Sequence, residues 1–251
     1  MDEDTRMGGS QERFPATRWS AVAAACAQDP GERRRGQGSI VAAYWKPIYK
    51  YLRVRWRRSN EEAKDLTQEF FARALERDVL AGYDPERARL RTYLRICVDR
   101  LVQNRDRASR ALKRGGPAAT LSLDYALAEG ELQNTEPPDP ESMEEFFERE
   151  WVRSLFGLAV ESLERRCIEQ GKATHFKLFE RYDLEAEPGE SPTYKSLAAE
   201  FGLAVTDVTN HLAWTRREFR RLVLQELAKL TGSAAEYHRE VRSVLGVTPA
   251  P

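Results

Sequence analysis

Apolar residues along the chain recur at spacings of three and four, and β-branched alternation is nearly absent, so the periodicity argues for helices and against strands. It predicts helices near 17–27, 38–58, 61–78, 87–112, 142–170, 172–184, 193–201, 205–229 and a short one near 234–244. Pro85, Pro188 and Pro192 fall between these segments, where proline is tolerated. The expected fold class is all-α, with two small helical domains joined by an acidic flexible linker.

Two of these helices have a divided surface. At about 100° per residue, Leu66, Phe70 and Ala74 fall together with Phe71 nearby, while Asp65, Gln68, Glu69, Ala72 and Glu76 share the opposite arc. One face packs and the other is an acidic-polar strip, which by itself reads as solvated helix surface. In the C-terminal third, Tyr194–Phe201 is a short amphipathic helix, Gly202 supplies a turn and a longer helix starts at Val205. On that second helix Val205, Val208, Leu212 and Phe219 form one stripe. Thr206, Asn210, Ala213, Arg217 and Arg221 lie opposite, with Thr209 and Trp214 at the edges. This is the layout of a helix-turn-helix, whose second helix needs small polar and arginine side chains to read base edges; an ordinary helix pair with a wet polar face shares the pattern.

Composition excludes several classes. No run of about 18 uncharged apolar residues occurs, and the acidic, polar start MDEDTRMGGSQERF lacks the basic-then-apolar order of a secretory signal. The expectation is a cytoplasmic protein that engages no membrane. Cys26, Cys97 and Cys167 are odd in number and far apart, which reads as reduced, buried thiols. His175, His211 and His238 have no metal-ligand spacing. No phosphate loop, nucleophile–base pairing or ligand cluster points to an enzyme, a cofactor, a metal or a small-molecule substrate.

Lys and Arg number 40 and Asp and Glu 40, a net charge of zero that conceals strong local imbalance. From Tyr44 to Ser59, Lys46, Lys50, Arg53, Arg55, Arg57 and Arg58 stand without an acid. From Glu86 to Arg114 arginines and Lys113 outweigh Glu86, Asp99 and Asp106. The sign then reverses: from Thr120 to Glu150 acids face only Arg149. Gly115-Gly116-Pro117 and Glu136-Pro137-Pro138-Asp139-Pro140 bracket a polar stretch, read as a linker over 115–141. That linker is either a solvated spacer or a nucleic-acid mimic shielding the basic surfaces.

Taken together, Asp65-Leu66-Thr67-Gln68-Glu69-Phe70-Phe71, then Tyr83-Asp84-Pro85-Glu86-Arg87-Ala88-Arg89-Leu90-Arg91-Thr92-Tyr93-Leu94, and finally Arg216-Arg217-Glu218-Phe219-Arg220-Arg221-Leu222 closing the helix-turn-helix, resemble in order and spacing the sigma-70 family of bacterial transcription initiation factors, specifically the extracytoplasmic-function type. The resemblance runs from about residue 40 to 230. It implies a region 2-like domain over 13–114 after a disordered 1–12, the linker over 115–141, a region 4-like domain over 142–231 and a C-terminal extension over 232–251. The implied function is a dissociable promoter-specificity subunit that binds core RNA polymerase and directs promoter recognition, melting and initiation. The alternative is a stand-alone helix-turn-helix regulator, which would dimerise on a palindrome without polymerase docking.

Residue by residue, the resemblance assigns Asp65, Gln68 and Glu69 to the clamp helices of the polymerase largest subunit. It assigns Tyr83, Arg91, Tyr93 and Arg95 to an unstacked base of the minus-ten element, where aromatic and arginine side chains suit single-stranded DNA. Arg53, Arg55, Arg57 and Arg105 would line the DNA path, and Thr206, Thr209, Asn210, Ala213, Trp214, Arg217 and Arg221 would read the minus-thirty-five duplex. The chain departs from the pattern where Lys64 interrupts the acidic cluster, where Ala204 takes the hydroxyl cap position and leaves Thr206 to cap a shorter helix, and where Trp214 replaces a common basic residue. The extension Phe14–Trp19 and the tail after Gly232 resemble a subgroup from bacteria rich in serine/threonine kinases. The candidate partners therefore include a kinase or an anti-sigma factor besides polymerase and promoter DNA. Thr67 becomes a candidate phosphorylation site, although its projection into the apolar sector makes a phosphate there costly.

Overall fold

The computed structural model describes residues 20–76, 79–109, 121–133, 142–185 and 192–246 of the 251-residue chain. Among them the regular structure is helical throughout. Phe14–Trp19 and the breaks at 115–117 and 136–140 lie outside the described residues.

The chain divides into two compact units, one of Met1–Ser154 with Leu227–Pro251, the other of Leu155–Glu226. The first begins with α1 (Ala21–Ala25), capped by Ser20, whose hydroxyl accepts from the Ala23 N–H at 3.2 Å. Helix α2 (Pro30–Arg55) starts eight residues before the expected 38. Asp29 caps it by accepting from the Glu32 N–H at 2.7 Å, and Pro30 sits in the first turn, where its missing N–H is no loss. Gly36 is buried against α1: a Cβ there would lie 2.3 Å from the Ala25 nitrogen and 2.6 Å from the Ala21 carbonyl oxygen. Arg57 adopts a left-handed φ of 49°, and the Arg58 N–H returns to the Leu52 carbonyl at 3.2 Å, closing α2.

Helix α3 (Asn60–Glu76) opens on a reciprocal cap. The Ser59 hydroxyl accepts from the Glu62 N–H at 3.3 Å and the Glu62 carboxylate accepts from the Ser59 N–H at 3.0 Å. A 3-10 turn (Leu80–Gly82) leads to α4 (Leu90–Ser109). Helix α5 (Tyr125–Gln133) packs on α2 and corrects the expectation of a flexible spacer for those residues. Helix α6 (Met143–Glu169) follows, and the boundary between the units falls within it. The first unit's core joins Ile40, Tyr44, Ile48 and Leu52 of α2, Leu66, Phe70 and Phe71 of α3, Leu94 and Val98 of α4, and Phe146, Phe147 and Trp151 of α6. Burying each such side chain fully contributes about 1.5–3 kcal/mol.

In the second unit α6 buries Leu155, Ala159, Leu163 and Cys167 at fourfold spacing and ends at Gly171 with φ +66°. Helix α7 (Ala173–Phe179), a π-helical turn (Glu180–Leu184), α8 (Tyr194–Phe201) and α9 (Val205–Leu230) complete it up to Glu226. Phe219 of α9 meets Phe179 and Phe156, with ring centroids at 5.4 and 5.8 Å. Helix α10 (Ala234–Leu245), capped by Ser233, belongs to the first unit, where Tyr237 and Val241 are buried. Burial of the thiols holds for Cys167 only; Cys26 is exposed and Cys97 half-buried, corrections to the expectation that all three are interior.

Candidate nucleic-acid and polymerase interfaces

Helix α3 presents the divided surface expected of it. Leu66, Phe70, Phe71 and Ala74 are buried and Asp65 is exposed. Gln68 and Glu69 are half-buried and engaged: Gln68 clasps the Leu121 backbone, donating to its carbonyl at 2.8 Å and accepting from its N–H at 2.7 Å. Glu69 accepts from Arg105 at 2.7 Å and pairs with Arg73. Of the two carboxylates among these three residues, Asp65 is thus the exposed one. Thr67 is fully buried and donates to the Ala63 carbonyl at 2.7 Å, so its hydroxyl is closed to a kinase in this fold.

The basic run of α2 is partly covered. Arg53 forms a two-pronged pair with Glu129 of α5 at 2.5 and 3.0 Å, and Tyr49 donates to the same carboxylate at 2.6 Å. Lys46 and Lys50 reach Glu131 at 2.9 and 2.6 Å, and buried Lys50 also reaches Glu150 at 2.6 Å. The Arg53 hydrogen bonds hold Glu129 below the usual carboxylate range. Burial by itself would push Glu131 up, but Lys50 and Lys46 outweigh it and keep it low. Arg55 and Arg57 are exposed, Arg55 lying 5.5 Å from the centroid of the Trp56 ring, and Arg105 is exposed beside Glu69.

The four residues assigned to the minus-ten element come together around the start of α4. The loop before it is shaped by Asp84, which accepts from the Glu86 N–H at 3.0 Å through its side chain and from the Arg87 N–H at 3.1 Å through its carbonyl. The Tyr83 and Tyr93 rings meet at a tilt of 50° with centroids 5.5 Å apart, and Tyr93 donates to the Val79 carbonyl at 2.6 Å. Arg95 pairs with Glu144 at 2.9 Å and Asp99 at 3.6 Å. Arg91, expected to face DNA, is buried, and its guanidinium lies 4.6 Å from the centroid of the Trp151 ring. Arg91 pairs with Glu240 of α10 and with Glu148 at 3.2 Å, while Tyr83 donates to Glu236 of α10. Burial first, and then Glu236, raises the Tyr83 hydroxyl far above its ordinary value and keeps it a donor.

In the second unit, Thr193 caps α8 by accepting from the Ser196 N–H at 3.1 Å, Gly202 ends it in the left-handed region at φ +66°, and α9 begins three residues later. Thr206, Thr209, Asn210 and Arg217 are exposed; Ala213, Trp214 and Arg221 are half-buried. Thr206 lies within the first turn of α9 and the Asp207 and Val208 N–H groups return to Ala204, so the cap is Ala204 and not Thr206. Val205 is exposed rather than part of the apolar stripe, whose buried members are Val208, Leu212 and also Thr215. Trp214 carries Lys172 over its ring at 3.8 Å, which places a positive charge beside it. Arg221 is held by Glu218 at 2.6 Å, whereas Arg216, unassigned from sequence, clamps Asp183 at 2.9 Å and braces α9 against the π-helical turn. His175 and His211 stack at 3.7 Å between ring centroids; no cluster of metal-ligating side chains occurs among the described residues.

No family model, curated protein or solved structure matches the chain.

Proposed function

We propose that the protein is a sigma-type initiation factor that binds bacterial core RNA polymerase and directs it to promoters. The observation that carries this reading is the polar face of α9. Thr206, Thr209, Asn210 and Arg217 stand exposed opposite buried Val208, Leu212 and Thr215, directly after a short helix and a glycine turn. Asn pairs bidentately with adenine and Arg with guanine in a major groove. The exposed Asp65 on α3 and the exposed arginines Arg55 and Arg57 support this reading, as an acid suited to a basic protein surface and cations suited to phosphates.

Selection from random duplex DNA, with and without core polymerase, tests the reading. A sigma-type factor enriches an asymmetric two-part site only when polymerase is present. Enrichment of a palindrome by the chain alone would instead indicate a polymerase-independent regulator.

A further inference from the structure

Helix α10 places two carboxylates on the residues assigned to melted DNA. Glu236 is 1 % exposed and Glu240 3 % exposed. One Glu236 oxygen accepts from the Leu90 N–H at 3.0 Å, at the start of α4, and from the Tyr83 hydroxyl. Glu240 pairs with Arg91 and lies 3.6 Å from Arg89. Ser243 adds a contact to Arg91 at 3.4 Å, and Arg239 donates to the Pro85 carbonyl at 2.9 Å. The donors met by this face of α10 are a tyrosine hydroxyl, a helix N-terminal N–H and two guanidiniums. They are the groups that hold phosphate oxygens and stack on unpaired bases.

Local helix chemistry accounts for only part of this. Glu236 stands three residues after the Ser233 cap and donates its N–H to the Ser233 hydroxyl at 3.1 Å, and its second oxygen accepts from the N–H of Gly232, the residue before the cap, at 2.6 Å. Its first oxygen leaves the helix to reach Leu90 and Tyr83, and Glu240 has no capping task at all. Burial raises the Glu240 carboxyl, so its docking runs against its own desolvation and depends on the facing arginines.

We infer that α10 is an intramolecular stand-in for single-stranded DNA, a C-terminal strap that covers Arg91, holds the Tyr83 hydroxyl and pairs with Arg89 until melted promoter DNA displaces it. The identity of the displacing ligand rests on the initiation-factor reading. Docked strap and bound strand are mutually exclusive, so apparent DNA affinity is reduced by the fraction of molecules with the strap in place.

The test uses the full chain and a fluorescent single-stranded oligodeoxynucleotide of mixed sequence. Glu236→Gln with Glu240→Gln keeps the shape of both side chains, and Gln can still accept from the Gly232 N–H. The double variant is expected to bind about tenfold more tightly, with a steeper salt dependence as Arg89 and Arg91 gain phosphates. Unchanged or weaker binding by a variant with wild-type helix content overturns the strap. Hydrogen exchange on the wild-type chain gives an answer that needs no variant: saturation with oligonucleotide should strip protection from 234–245, and retained protection overturns the strap. Capture of core polymerase, run in parallel, tests the initiation-factor reading separately.

Discussion

At the residue scale, Arg217 is exposed on the polar face of α9, whereas neighbouring Arg216 and Arg221 are committed to Asp183 and Glu218. Arg217→Ala is therefore expected to lose about 1–3 kcal/mol at one base position of the bound duplex, read by competition among single-base variants. Equal loss on every sequence would mark a phosphate contact instead. His175, stacked on His211, gives a pH dependence. Burial first, then His211 and Lys172, lowers His175 below its ordinary value. The unfolded chain thus takes up the proton more readily than the folded one. Stability from this group is present above the unfolded value of about 6.5 and is lost as pH falls from there towards the depressed folded value. Thermal melting should show a decline below that pH that His175→Gln flattens; an unchanged profile in the variant would remove the histidine from the account. Much of this scale was legible in sequence, since the projections separated Leu66, Phe70, Val208 and Leu212 from Asp65, Asn210 and Arg217. Partners were not: nothing local to Arg91 announces that Glu240, 149 residues away, will meet it.

At the scale of elements, α2 shows why boundaries were harder. Apolar periodicity predicts this helix from 38, and Gly31, Gly36 and Gly38 lower helix propensity at its start, whereas the Asp29 cap, Pro30 and the close approach of α1 at Gly36 carry it back eight residues. The glycines are not equivalent. A Cβ at Gly38 meets nothing within 4 Å, so Gly38→Ala should stabilise by about 0.5–1 kcal/mol from propensity alone. At Gly36 the same gain is outweighed by backbone displacement of α1, and Gly36→Ala should destabilise by about 1–3 kcal/mol. Urea denaturation of the two variants checks the opposite signs; shifts of the same sign would contradict the packing of α1 on α2. Helix α5 escaped the sequence reading for another reason. It is short, contains Gly130, and draws its support from Glu129 and Glu131 meeting the basic face of α2, a tertiary gain that periodicity does not encode.

At the scale of the whole molecule, the zero net charge is the sum of acidic segments and basic ones that meet in the fold. Helix α5 answers Lys46, Lys50 and Arg53, and α10 answers Arg89 and Arg91. Asp65 on α3, Arg55 at the end of α2 and Arg57 just after it remain exposed. The all-helical class followed from periodicity; the return of the C-terminal segment to the first unit did not, because its apolar spacing says only that it is amphipathic. The central proposal is that α3 docks on polymerase through its exposed Asp65. It is tested most directly by capture of bacterial core RNA polymerase at moderate salt with the wild-type chain and with Asp65→Arg, a change at an exposed position that leaves the core of α3 intact. The account predicts capture by the wild type and marked loss with the variant. Absence of capture by the wild type, or undiminished capture by Asp65→Arg, would contradict it.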